Sequence, residues 1–311
     1  MSVQFVNQNL KTAFFLLALF LAFALVGCTR NKSELGTAEN PIKLHFVPSV
    51  DAKVIESNSK AFKTYLEANT PYKFEISVPQ SYVAVIEAFG TKRADIAALN
   101  TFGYVLAHQK YGAEAKLVTV RHGSSTYQSQ FIVRSDSKFK KLEDLEGARM
   151  AFVDAASASG YLLPLRTLKE QNIKTKETVF AGKHDGVVTM VYQGQVDAGA
   201  TFYSPPSEGK IEDARRLVLT QFPDVEQKVK ILDLSLPIPN DPIVFRKEMP
   251  EEMKQKLVET LLKFVKTPEG QIAFKEVYGV TDLNVTSDSD YEEARKMLTS
   301  LGKTAEELMK K

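Results

Sequence analysis

The chain has 311 residues, 40 Lys+Arg against 38 Asp+Glu, a net charge of +2 at pH 7, one cysteine and no tryptophan. Charge this balanced, with no basic stripe, excludes the nucleic-acid binders that hold phosphate backbones through clustered Lys and Arg. A single cysteine excludes a disulfide framework, so the fold must be held by its core.

The N-terminus reads as an address. Lys11 opens a short positive region, and residues 13–26 form an apolar run. That run is shorter than the roughly 20 residues of a comfortable membrane helix, and its layout is that of a secretory signal. It closes on Leu25-Val26-Gly27-Cys28, which resembles a bacterial lipobox whose cysteine is acylated and becomes the new N-terminus. On this reading residues 1–27 are a signal peptide, and the protein is exported and lipid-anchored through Cys28. Residues 28–40 then hold the lipidated cysteine and a polar, flexible linker. The 284 residues from Cys28 onward suffice for two lobes.

Folded sequence begins at Pro41. Residues 42–47 (IKLHFV) read as a strand, and 51–69 follow with helical spacing at Val54, Phe62 and Leu66. Residues 72–78 (YKFEISV) alternate as a half-buried strand does. A helix over 81–89, a buried strand over 95–99 (DIAAL) and a helix over 101–110 come next. Strand–helix alternation at this spacing builds βαβ units and a mostly parallel sheet. The pattern restarts with strand 130–134 (QFIVR), a short helix opening at Leu142, and strand 149–153. Helix 159–171, strand 178–180, helix 185–193 and strand 198–202 complete a second lobe. Strands 231–234 and 243–246 lead back to the first, followed by helices opening at Glu251, Pro268, Asp290 and Thr304. The expected division is 41–126 for the first part of lobe I, 127–234 for lobe II, and 235–311 for the return to lobe I and its C-terminal helices. In those helices Leu257, Leu261, Leu262 and Val265 have the spacing of a packing face.

Two such lobes joined by two crossings enclose a cleft. Ligands of open α/β sheets sit outside the carboxyl ends of the strands, where helix N-termini converge. Four junctions qualify: Pro79-Gln80-Ser81-Tyr82, Asn100-Thr101-Phe102-Gly103-Tyr104, residues 154–161 (DAASASGY), and Gly182-Lys183-His184-Asp185-Gly186. Each sets hydroxyl, imidazole or amide groups beside backbone N–H groups that have no intrahelical partner. Several helix N-termini aimed at one crevice favour an anion. Ser157 and Ser159 are central, and Gly160 keeps the backbone accessible. Ser81 is read as a helix cap alone. Tyr82, Tyr127 and Tyr161 fit equally well as core aromatics with exposed hydroxyls. His45, His108 and His122 have no metal-ligand spacing with His184, so neither a metal nor a cofactor is expected.

Seven blocks stand in order: LHFVPS, SYVAVIEAF with ADIAAL, STYQSQFIVRSDS, AFVDAASASGY, AGKHDGVV, GQVDAGATF and PIPNDPIVFRKEMP. Through them residues 41–250 resemble the phosphate, phosphite and phosphonate-binding proteins of ABC importers, a class within the type II periplasmic-binding-protein fold. The resemblance implies a two-lobed α/β fold with the ligand between the lobes. It implies a monomeric, non-enzymatic binding protein that captures a phosphorus oxyanion and delivers it to permease and ATPase subunits in the membrane. The family's cleft tyrosine falls on Tyr82 and its TYxS tyrosine on Tyr127. Its DxxSTSG oxyanion cradle falls on Ser157, Ala158 and Ser159, its GSHD histidine on His184, and its IPxDP aspartate on Asp241.

Two departures matter. Ala158 replaces the usual Thr and loses one hydroxyl donor. After the GAT segment the chain has Phe202, Tyr203 and Ser204 where aminoalkylphosphonate binders tend to carry an acid, which disfavours a primary amine; Glu208 follows nearby without an assigned role. The implied shell holds its anion with neutral donors and dipoles rather than with Arg or Lys. Asp241 is then expected to accept a proton from the ligand's P–OH, selecting partly protonated oxyanions over sulfate. The lobes are expected to hinge near 127–131 and 233–241.

Other readings are a binding protein for a different solute, such as a sulfonate or a vitamin precursor, and a sensor or interaction protein on the same fold. A hydrolytic triad of Ser157, His184 and Asp185 or Asp154 lacks the GxSxG elbow.

Overall fold

The computed structural model describes residues 34–207, 209–300, 302 and 307. Cys28, Glu208 and the opening of the helix expected at Thr304 lie outside the described residues. The strands are β1 Ile42–Phe46, β2 Phe74–Ser77, β3 Ile96–Ala98, β4 Glu114–Val120, β5 Thr126–Arg134, β6 Arg149–Phe152, β7 Glu177–Phe180, β8 Ala198–Tyr203, β9 Val229–Leu234, β10 Ile238–Pro239, β11 Pro242–Phe245 and β12 Asp282–Val285. The helices are α1 Ala52–Asn69, α2 Tyr82–Gly90, α3 Thr101–Tyr111, α4 Leu163–Glu170, α5 His184–Tyr192, α6 Val225–Lys228, α7 Glu251–Phe264, α8 Pro268–Tyr278 and α9 Glu292–Ser300.

These form two sheets, in the orders β12-β4-β11-β3-β1-β2 and β10-β5-β8-β6-β7, with β9 also paired to β5. Both sheets are mixed rather than mostly parallel. In the first, β1 pairs parallel with β2 and β3, while β11 and β12 run antiparallel to their neighbours. In the second, β6 pairs parallel with β7 and β8, while β8, β9 and β10 run antiparallel to β5. The reason is connectivity. Strands that feed helices run toward the gap between the sheets, whereas β5 and β11 start at that gap after a crossing and must run away from it.

The core follows the apolar periodicities. Ile55, Phe62 and Leu66 on α1 pack under the first sheet with Leu257, Leu261 and Phe264 of α7. Phe62 meets the rings of Phe46, Phe264 and Phe274 at 4.6–5.3 Å, in the edge-to-face geometry aromatic rings favour. On the other face, α3 is buried over its first seven residues, and Tyr104 packs on Tyr291 just before α9. That cluster continues under α2 into the second lobe, through Ile132 of β5, Val153 just past β6 and Val187 of α5.

Candidate functional site

Between the sheets lies a cavity of about 530 Å³ of atom-free space, counting the part open to solvent. The centre of a water-sized sphere can occupy about 40 Å³ of it. One water needs roughly 10–15 Å³ by that measure, so the enclosed part admits a solute of only a few heavy atoms. Tyr82, Tyr127, Ser157, Ala158, Ser159, His184 and Asp241, all anticipated from the sequence, line this one cavity. Asn100, Arg121, Arg216, Ser204 and Tyr278 join them, and Val47, Val50, Phe202 and Val277 supply apolar wall.

The junctions place these groups. Tyr82 and His184 are the first residues of α2 and α5. Asn100 caps α3, and Ser157 caps a π turn, Ala158–Leu162, that runs on into α4. Ser81 caps α2 through its Oγ, which accepts from the Ala84 N–H at 3.2 Å. Ser157 Oγ accepts from the Gly160 N–H at 3.1 Å, which leaves its own O–H to donate. Gly160 is dictated by close approach, since a Cβ there would collide with the Val153 side chain and come within 2.8 Å of Ser157 Oγ. Ser129 Oγ donates to the Ser159 carbonyl at 2.5 Å and fixes the cradle's backbone against β5.

Asn100 has two tasks. Its Oδ1 accepts the Gly103 N–H at 2.7 Å, while its buried Nδ2 has no hydrogen-bond partner among the described residues. His184 Nδ1 and Arg216 Nε are likewise buried without a hydrogen-bond partner. Burial, and then the nearby Arg121 charge, lowers the His184 pKa to about 3, so the ring is neutral at ordinary pH. Burial pushes the Tyr82, Tyr127 and Tyr278 hydroxyls well above their usual range, so they remain protonated donors.

The charges correct the expectation of a shell made only of neutral donors, because two guanidinium groups line the cavity. Arg121, just past β4, donates from Nη2 to Asp241 Oδ2 at 2.6 Å, from Nη1 to Asn240 Oδ1 at 3.1 Å and from Nε to the Tyr278 carbonyl at 2.9 Å. Tyr127 donates to the other Asp241 oxygen at 3.3 Å. Asp241 thus stands in the cavity as the counter-ion of Arg121, which removes the difficulty of an isolated carboxylate beside an anion. The signal for Arg121 was available: EAKLVTV alternates as a half-buried strand, which puts Arg121 at a strand's cleft end. Arg216 sits in a 3₁₀ turn, Ala214–Val218, that carries no clear periodicity.

Two contacts beside the cavity join the lobes. The His184 N–H donates to the Ser49 carbonyl at 3.1 Å, and Lys183 Nζ lies 3.5 Å from Asp51 Oδ2.

The model of the family described as "ABC transporter, phosphonate, periplasmic substrate-binding protein" matches residues 44–291. The chain belongs to this family. It is therefore a member of a transport-binding, extracytoplasmic family. The Escherichia coli K12 phosphonates-binding periplasmic protein is 30% identical over 216 residues, covering 67% of this chain and 61% of that protein. The Mycolicibacterium smegmatis phosphate-import protein PhnD is 28% identical over 213 residues, covering 63% and 65%. The chain thus spans under two-thirds of the length of these curated relatives. Among solved structures, PhnD1 of Prochlorococcus marinus in complex with methylphosphonate superimposes with a TM-score of 0.73 at 17% identity, over 85% of this chain and 98% of that one. A phosphonate-transporter binding component from Pseudomonas aeruginosa gives 0.71 at 22% identity, over 86% and 92%. These likenesses establish the two-lobed periplasmic-binding-protein fold. Among the described residues no helix is long and apolar enough to cross a membrane, and no group of His, Cys, Asp and Glu could hold a metal ion.

Proposed function

We propose that this chain is the solute-binding component of an ABC importer, capturing a small phosphorus oxyanion (phosphonate, phosphite or phosphate) between its lobes. One observation carries the reading. Three buried nitrogens without hydrogen-bond partners among the described residues, on Asn100, His184 and Arg216, belong to residues lining a cavity sized for a few heavy atoms. A buried donor left unsatisfied costs about 1–3 kcal/mol, and an anion accepting from it recovers that and more. Ser157 and Ser159, the backbone at Ala158 and the protonated Tyr82 complete the donor set around the ligand, and Tyr127, whose O–H is given to Asp241, lines the site beside them. Phosphorus oxyanions are the cargo named for the relatives from E. coli, M. smegmatis and P. marinus, which supports the same class here.

The protein binds without turnover. A hydrolytic role for Ser157 and His184 needs a carboxylate to orient the imidazole, and His184 Nδ1 has no such partner among the described residues. Asp241 serves the site by holding Arg121 and accepting from Tyr127. The lobes close by hinging near 127–131 and 233–241, and the closed monomer docks on the permease and ATPase subunits. Cys28 carries the lipid that confines the protein to the extracytoplasmic membrane face, where tethering raises its concentration near the transporter; Cys28→Ser should release a protein that still binds.

A thermal-shift panel tests the reading. Phosphite, phosphate or methylphosphonate should raise the melting temperature with no product formed, and sulfate should raise it less. A flat response to all three phosphorus oxyanions contradicts it.

A further inference from the structure

The two guanidinium groups of the cavity are not equivalent. Arg121 spends Nε, Nη1 and Nη2 on Tyr278, Asn240 and Asp241, and its charge is matched at 2.6 Å. The Arg216 guanidinium donates no hydrogen bond among the described residues, and its Nε is buried. Its nearest carboxylate, Glu212 Oε2, is 4.0 Å from Nε, outside hydrogen-bond range. That carboxylate is also 3.9 Å from His122 Nε2.

Position singles out Arg216 as well. It hangs from the second lobe between β8 and β9, yet its Nη2 would lie only 3.4 Å from a Cβ at Gly279, the left-handed residue that ends α8 in the first lobe. The guanidinium therefore spans the cleft beside the C-terminal turn of α8, where a cation is favoured. Of the described residues lining the cavity, Asp241 is the one carboxylate, and it is already paired. With His184 neutral, the described lining carries two positive charges and one negative.

We propose that Arg216 supplies the anion-selecting charge of this cavity and restricts its ligands to small phosphorus oxyanions whose substituent bears no ammonium group. The inference rests on the function proposed above and goes further in naming the ligand class and the residue that sets it. An ammonium group entering with the ligand meets a guanidinium whose one ion-pair partner, Glu212, stands 4.0 Å off and outside the lining, and it finds no unpaired carboxylate among the described lining residues, so it loses its water without gaining a counter-charge. Phosphite, phosphate and methylphosphonate present only oxygen acceptors and a small apolar substituent, which Val47, Val50, Phe202 and Val277 can cover.

The test is calorimetric titration of the full chain in detergent micelles with methylphosphonate and with 2-aminoethylphosphonate, for the wild type, Arg216→Gln and Arg216→Lys. The wild type should bind methylphosphonate at least about tenfold more tightly than 2-aminoethylphosphonate. Losing a charged donor is worth about tenfold or more in affinity, so Arg216→Gln should weaken methylphosphonate binding by that factor and bring the two affinities close together. Arg216→Lys keeps the charge and should keep the preference; it also decides the matter if the Gln variant fails to melt cooperatively. A structural role would lower both affinities by the same factor and leave their ratio at the wild-type value, which would overturn the inference. Equal wild-type affinities for the two ligands would overturn it too. A wild type that binds no phosphorus oxyanion refutes the function itself, whereas tight wild-type binding with an unchanged Gln variant refutes only the role of Arg216.

Discussion

Asn100 offers a substitution that separates folding from binding. Its Oδ1 caps α3 by accepting the Gly103 N–H at 2.7 Å, and its Nδ2 is a buried donor on the cavity wall. Asn100→Asp preserves the cap, because Asp and Asn are equally good at that position and a helix N-terminus favours negative charge. It replaces the donor with a carboxylate oxygen facing the anion. A hydrogen bond to a charged acceptor contributes about 1.5–3 kcal/mol, or about 10- to 150-fold in Kd, and the new like charge adds to that loss. The expected result is a melting temperature close to wild type with methylphosphonate binding weakened at least about tenfold. Asn100→Ala, which removes cap and donor together, should lose about 1 kcal/mol of stability as well. Calorimetric titration and thermal denaturation on the same samples read both effects. An Asn100→Asp protein that binds like the wild type would refute the assignment of the orphan Nδ2 to the ligand.

Further outcomes follow from the same geometry. His184 is held neutral with a pKa of about 3 against 6.5 in the unfolded chain; below pH 6.5 the unfolded state takes up a proton that the folded state refuses. Its contribution is therefore complete above pH 6.5 and falls toward pH 3 by about 1.4 kcal/mol per pH unit, so denaturant titrations of His184→Gln should show a shallower acid slope; parallel slopes would contradict this. Gly160→Ala drives a Cβ into Val153 and Ser157 Oγ, which should cost about 1–3 kcal/mol of stability and weaken ligand binding; wild-type values for both would remove the cradle argument. The Lys183–Asp51 pair is half-exposed and joins the lobes next to His184, and such pairs contribute about 0.2–1 kcal/mol. Asp51→Asn should weaken binding by less than about fivefold, and the difference should vanish near 1 M salt, where the screening length is about 3 Å; a loss that persists in salt would show that more than charge is involved.

Much of the site was legible because the chain punctuates its strands with the groups that matter. Ser157, His184 and Asn100 all stand at strand-to-helix junctions, where strand direction alone carries them to the cleft. The charged half was harder to read. Glu114 and Lys116 give β4 a polar face that suggests a surface segment, although they pair there with Lys254 and Glu251. Without β4 as a strand, Arg121 has no strand end to occupy. Arg216 lies in a stretch held by tertiary contacts, Asp213 to Gln130 and Arg215 to the Val229 carbonyl, not by local pattern. Strand direction was also beyond the hydrophobic pattern: β11 reads as apolar whichever way it runs, and only its entry from the crossing at Asp241 makes it antiparallel to β3. The edge strand β12 contains Asp282 and Asn284, residue types that strands disfavour.

The central claim is that the interlobe cavity binds a phosphorus oxyanion, and titration of the full chain with methylphosphonate tests it most directly. Five or six charge-assisted hydrogen bonds, less the cost of association, lead to single-site binding with a Kd of about a micromolar or below. Absence of binding heat with methylphosphonate, phosphite and phosphate alike would contradict the account.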